Sequence, residues 1–134
     1  MDTVLVRDVM TGDLVCVDAD AALVEASRLM RSHDIDELLV TDGTTLIGTL
    51  TAYELVARGL AEDLDPHAAT VRDLLGRELV TVHADDDITE ALRLMALHGL
   101  GRLPVCEAGR VVGVVSRADL DRDELADYQR QAAA

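Results

Sequence analysis

The chain has 134 residues, a formal net charge of −14, and 49% apolar residues drawn almost wholly from Ala, Val, Leu, Ile and Met, with no Phe or Trp and two Tyr. Such a length suits one compact domain with an aliphatic core and leaves nothing over for a separate catalytic domain. The acidity argues against duplex nucleic acid as a partner, and no stretch approaches the roughly 20 apolar residues of a membrane span.

A leader, Val6 to Gly12, precedes a short strand, Leu14-Val15-Cys16-Val17. Helical spacing follows, with Leu23, Ala26, Leu29 and Met30 on one face and Glu25, Arg28 and Arg31 off it. Ala22 stands where a capping side chain belongs, which weakens this helix start. Leu38-Leu39-Val40 reads as a strand buried on both faces, Asp42-Gly43 as a turn, and Leu46 to Leu50 as the next strand. Thr51 is an N-cap for a helix over Ala52–Gly59, and Ala61–Thr70, with Asp65-Pro66, is a linker.

The pattern then starts again. Residues 6–55 and 71–120 align at a constant offset of 65 with no gap. Eighteen of the fifty pairs are identical, too many for shared composition alone, so the chain carries an internal repeat. Copy two has Ile88, Ala91, Leu94 and Met95 on its helix face, with Asp87 and Glu90 spaced as a capping box. Its strands are Leu103-Pro104-Val105 and Val111 to Val115, joined through Ala108-Gly109, and Ser116 opens a helix over Arg117–Ala126. The expected divisions are residues 1–60, a linker 61–70, residues 71–126 and a tail 127–134.

Cys16 and Cys106 are isolated in apolar runs, as expected of buried reduced thiols. Met1-Asp2-Thr3-Val4-Leu5 lacks the basic start and apolar run of a signal peptide, so a cytoplasmic location is expected. His33 and His98 fall at helix ends, where the dipole favours a cation, and His67 and His83 have no partner at ligand spacing; no metal site is expected. Ser116 has no His in a fixed local relation, and its counterpart is Thr51, which suits ligand contact or capping rather than attack. Asp85-Asp86-Asp87 reads as a solvated helix start, and Asp119 to Glu124 as an exposed helix face. No catalytic constellation can be assembled, so the chain is not expected to be an enzyme.

The most informative local features are the two strand-to-helix junctions, Gly48-Thr49-Leu50-Thr51-Ala52-Tyr53-Glu54 and Gly113-Val114-Val115-Ser116-Arg117-Ala118-Asp119. Glycine lets a ligand or backbone come close, free N–H groups at a helix start favour an anion, and an acid three residues on can accept from the paired hydroxyls of ribose. The same residues also make an ordinary capping box.

With these junctions, the leader Val71-Arg72-Asp73-Leu74-Leu75, Glu90-Ala91 with Leu94-Met95, and Gly99 to Val105, the chain resembles the CBS domain family, in which tandem pairs are called Bateman modules. The resemblance covers Val6 to Leu120. It implies an α/β (α+β) fold of two β-α-β-β-α repeats about a pseudo-twofold axis in a single module, and a homodimer that forms a flat four-repeat disc. It also implies regulatory binding of AMP, ADP, ATP or S-adenosylmethionine between the repeats. The ligand-binding residues are then Ser116 near phosphate, Asp119 on ribose, Val15, Ile35 and Asp36 beside adenine, and Arg102 and Arg117 toward phosphates. Thr51, Glu54, Val80, Leu100 and Gly101 form a weaker second site, because Glu54 replaces the ribose-binding Asp and Tyr53 is bulky. Asp34, Asp36 and Glu37 would repel a polyphosphate without a cation, so no cofactor is required and Mg²⁺ enters only with a polyphosphate. The expected function is a metabolite sensor acting on an unidentified effector protein. The alternative is a dimerising interaction module that binds no nucleotide.

Overall fold

In the computed structural model, Leu23, Ala26 and Met30 recur at helical spacing and turn together into a core. Residues 3–12, 14–76 and 78–120 are described. Along the chain run α1 (Val6–Val9), β1 (Cys16–Asp18), α2 (Leu23–His33), β2 (Glu37–Asp42), β3 (Thr45–Thr51) and α3 (Ala52–Glu54) with a π-helical continuation, Leu55–Leu60. There follow α4 (Val71–Leu74), β4 (Val82–His83), α5 (Ile88–His98), β5 (Arg102–Glu107) and β6 (Arg110–Ser116). Residues 117–120 are helical; the expected continuation to Ala126 and the tail lie outside the described residues.

Two compact units result. One is the continuous segment Val15–Leu79, and the other joins Met1–Leu14 to Val80–Ala134. In the first, β1 runs parallel to β2, which pairs antiparallel with β3. In the second, β4, β5 and β6 repeat that arrangement. Both cores are built from Ala, Val, Leu, Ile and Met, as the composition requires.

The units are offset from the sequence copies because each copy's leader packs with the strands of the other copy. Val6 of α1 is fully buried among Val82, Ile88, Met95 and Leu103. Val71 and Leu74 of α4 are buried among Val17, Leu23, Met30 and Leu38. Each such side chain contributes about 1.5–3 kcal/mol by leaving water. The backbone makes the exchange specific. Val6 N–H donates to Asp86 O at 2.8 Å and Arg7 N–H to Ala84 O at 2.9 Å; Val71 N–H donates to Ala21 O at 2.9 Å and Arg72 N–H to Ala19 O at 2.8 Å.

The two long helices start differently. Ala22 makes no side-chain cap, and the linker compensates: Leu23 N–H donates to Ala69 O at 3.1 Å and Val24 N–H to Pro66 O at 2.9 Å. Residues 61–70 therefore do more than connect. On α5, Asp87 caps through Thr89 N–H at 2.8 Å, while Glu90 pairs with Arg93 at 2.7 Å instead of closing the box.

One difference between the sheets follows from a single residue. Leu39 N–H donates to Val15 O at 3.0 Å, whereas its counterpart Pro104 has no N–H to offer Val80. Accordingly β4 spans two residues where β1 spans three.

Candidate functional site

The junction after β6 sits on a strand whose hydrogen-bonding parity can be read directly. Arg117 N–H donates to Gly101 O at 2.8 Å, and Val114 exchanges both of its main-chain bonds with Thr11, away from β5. A strand alternates with period two, so Ser116 also turns its N–H to that outer edge. The Ser116 hydroxyl donates to Asp119 Oδ2 at 2.8 Å and accepts from Asp119 N–H at 3.2 Å. Both side chains are half-buried, so the corner combines an N–H, a hydroxyl and a carboxylate at a helix start.

The junction after β3 has the same parity and a different outcome. Thr51 N–H and Thr51 Oγ1–H both donate to Glu54 Oε1 at 3.0 Å, and Glu54 N–H donates back to Thr51 Oγ1 at 3.1 Å. The extra methylene of Glu54 carries its carboxylate back over the cap, where the side chain is buried at 5% exposure. This corner is closed on itself. Its neighbour Tyr53 is 74% exposed.

The junction glycines admit the protein itself. A Cβ on Gly113 would lie 2.7 Å from Thr11 O and 2.8 Å from Met10 Sδ, and one on Gly48 would lie 3.1 Å from Leu75 Cδ2. The close approach anticipated there is made by the leaders.

The residues assigned from the sequence divide between the units. Ser116, Asp119, Arg102 and Arg117 share the discontinuous unit, where Arg102 opens β5 opposite Ser116. Val80, Leu100 and Gly101 belong to that unit too, with Val80 and Leu100 packed on its core and Gly101 exposed. Thr51, Glu54, Val15, Ile35 and Asp36 belong to the continuous unit. There Val15 and Ile35 pack on the core, and Asp36 O accepts from Ala52 N–H at 2.8 Å.

Several acidic residues have structural work that the sequence does not display. Arg7 donates to Asp85 Oδ1 and Glu107 Oε1, each at 2.7 Å from Nη2. Arg72 repeats the clasp at the equivalent positions, with Asp20 Oδ1 at 3.0 Å and Asp42 Oδ2 at 3.4 Å. The Arg72 guanidinium holds the Asp20 carboxyl below its ordinary range. Asp86 accepts from His83 N–H at 3.0 Å, so the Asp85-Asp86-Asp87 run is spent on a clasp, a turn and a cap.

Both cysteines are free, and the expectation of burial is corrected: Cys16 is exposed and Cys106 half-buried. The alternation along β1 sends Val17 inward and leaves Cys16 on the other side. Among the described residues no three His, Cys, Asp or Glu side chains are grouped to hold a metal ion, and no helix is long and apolar enough to cross a membrane.

Comparison with known proteins agrees with this duplicated architecture. Residues 6–60 and 71–123 each match the CBS domain. The chain belongs to the CBS domain family. Hypoxic response protein 1 of Mycobacterium tuberculosis is 38% identical over 117 residues, covering 87% of this chain and 82% of the relative. The uncharacterized protein YlbB of Bacillus subtilis is 33% identical over 130 residues, covering 96% and 87%. Among solved CBS proteins, Hypoxic Response Protein I with two coordinated zinc ions superposes with a TM-score of 0.81 at 38% identity, covering 89% of this chain and 98% of that one. The CBS domain pair of protein MJ0100, in complex with 5′-methylthioadenosine and S-adenosyl-L-methionine, gives a TM-score of 0.81 at 23% identity, covering 94% and 99%; it speaks for the fold alone.

Proposed function

We propose that this CBS pair is a non-enzymatic regulatory module that binds an adenosine-containing ligand at the Ser116–Asp119 corner. One observation carries the proposal: Glu54 consumes both the N–H and the hydroxyl of Thr51, whereas Asp119 engages only the hydroxyl of Ser116. The outward N–H of Ser116 then serves a phosphate or the carboxylate of S-adenosylmethionine, and Asp119, which already accepts from the Ser116 hydroxyl, has acceptor capacity left for ribose hydroxyls. Arg102 and Arg117 supply positive charge in the same unit. Val15, Ile35 and Asp36 enter through the family resemblance, and Asp36→Ala tests that assignment. The ligand class is AMP, ADP, ATP or S-adenosylmethionine, with Mg²⁺ only for a polyphosphate. A cytoplasmic location and an effector protein belong to the same proposal.

Thermal melting with AMP, ADP, ATP, S-adenosylmethionine and NADH, each with and without Mg²⁺, tests it. Ligand at 100 times its Kd adds about 2.7 kcal/mol and raises the midpoint by several degrees. Unchanged melting with all five defeats the proposal.

A second reading is favoured by a separate observation. Tyr53, Val56 and Leu60, on α3 and its π-helical continuation, are 74%, 56% and 74% exposed. Apolar exposure of this kind on one short segment suits a self-associating module that needs no nucleotide.

A further inference from the structure

The end of the N-terminal leader lies on the strand that delivers Ser116. Thr11 N–H donates to Val114 O and Val114 N–H to Thr11 O, both at 2.9 Å, as one isolated antiparallel pair. Gly113 allows this approach, since a side chain there would collide with Thr11 O and Met10 Sδ. Val114 and Ser116 stand two residues apart on β6, so the edge that Thr11 occupies is the edge to which Ser116 presents its N–H. Thr11 and Gly12 are exposed, while Val6, earlier in the same leader, is fully buried. A single surface pair of this kind can open locally while the core stays closed. The continuous unit has no counterpart among its described residues: Thr49, which matches Val114, makes no bridge to Gly76.

We infer that Thr11 is a positioning residue for the Ser116 corner. Its main chain holds the outer edge of β6 in place, and a ligand seated at the corner holds Thr11 in return, because coupling between two sites is reciprocal. This rests on the ligand-binding reading above. It adds that the leader responds to occupancy, which places the sensing element in a segment of the chain that precedes both sheets.

The test uses the full chain with AMP as the probe. Hydrogen exchange of the Thr11 and Val114 amides is expected to slow up to about 100-fold at AMP 100 times its Kd, if opening and binding exclude each other. The Asp63 amide, which donates to Leu60 O in a turn of the other unit, is expected to exchange as before. Thr11→Pro removes the donor, and Met10, at ψ 156, already has the conformation that a following proline requires. It is expected to weaken AMP binding at least 10-fold by calorimetry, while Thr11→Ala, which keeps the backbone, stays within about twofold. A merely structural role would lower the melting temperature of Thr11→Pro and leave its AMP affinity unchanged. AMP binding with unaltered exchange at Thr11 overturns the coupling and spares the corner. Absence of AMP binding to the natural chain overturns the coupling to AMP, and the corner falls with it when ADP, ATP, S-adenosylmethionine and NADH also leave the melting unchanged; the exchange experiment decides the matter even if Thr11→Pro fails to fold.

Discussion

Glu54 Oε1 accepts from both the main-chain N–H and the hydroxyl of Thr51, at 3.0 Å each, so a single buried carboxylate oxygen seals one of the two junctions. The matching Ser116 and Asp119 share one hydroxyl-to-carboxylate bond at 2.8 Å. The contrast separates a stabilising cap from a corner with capacity to spare.

The first prediction concerns the ligand response. Asp119→Ala is expected to abolish the melting shift produced by the active ligand, while Glu54→Ala retains most of it. The reverse pattern, read from the same melting curves, would assign the ligand to the other junction.

Glu54 should instead matter to stability. Glu54→Ala leaves the Thr51 N–H and hydroxyl without their acceptor at a half-buried position, and a lost cap costs about 0.5–2 kcal/mol. Urea denaturation without ligand is expected to show a loss in that range, larger than that of Asp119→Ala.

The ends of the two long helices give a third comparison. Asp34 closes α2 in the left-handed region at φ 53, and Gly99 closes α5 at φ 65. Glycine is at ease there and other residues are strained, Asp less than most. Asp34→Gly is expected to stabilise the protein by about 0.5–1 kcal/mol, and Gly99→Ala to cost about 1 kcal/mol. Equal unfolding midpoints for Asp34→Gly and the natural chain would count against this account.

Acid should loosen the leader clasp. Asp20 is depressed below its ordinary value of 3.8 first by its hydrogen bond to Arg72 and then by the guanidinium charge. Its contribution is present above the unfolded-state value and is lost as pH falls through the lowered, folded-state value. Stability is therefore expected to decline as pH falls below about 4, and Arg72→Ala to flatten that decline. Denaturation midpoints measured between pH 6 and 2 check it; identical slopes for both proteins would remove Asp20 from the account.

Self-association gives the fifth. Light scattering at micromolar concentration is expected to return a dimer mass, and Val56→Glu with Leu60→Glu a monomer mass, since both positions are exposed and carry no core packing load that a charge would disturb. A monomer mass for the natural chain defeats the prediction.

Much of this architecture is legible in the residues. The spacing of Leu23, Ala26 and Met30, the run Leu38-Leu39-Val40 and the offset of 65 announce the helices, strands and duplication because burial imposes those periods. The exchange of leaders is not legible, since Val6 and Val71 are equally apolar whichever sheet they cover. Arg7 and Arg72, Asp20 and Asp85 stand out as identical pairs, but that Arg7 reaches Asp85 and Arg72 reaches Asp20 follows from the fold and not from their spacing. Glu54 is conspicuous as one methylene too long, but whether it reaches outward or back to its own cap depends on the main-chain parity of β3. Asp87 and Glu90 mark a helix start correctly and a closed box wrongly, because Arg93 offers Glu90 a charged partner one turn on.

The offset between repeat and unit bears on how this protein can be taken apart. A piece cut at the visible end of copy one, near Leu60, keeps α1 without the residues that surround Val6 and forfeits Val71 and Leu74, which fill its own interior. A piece from Val15 to Leu79 holds every member of its core. The natural scissor lines therefore fall inside the copies, just after each leader, and any transplant or truncation of this protein should be drawn there.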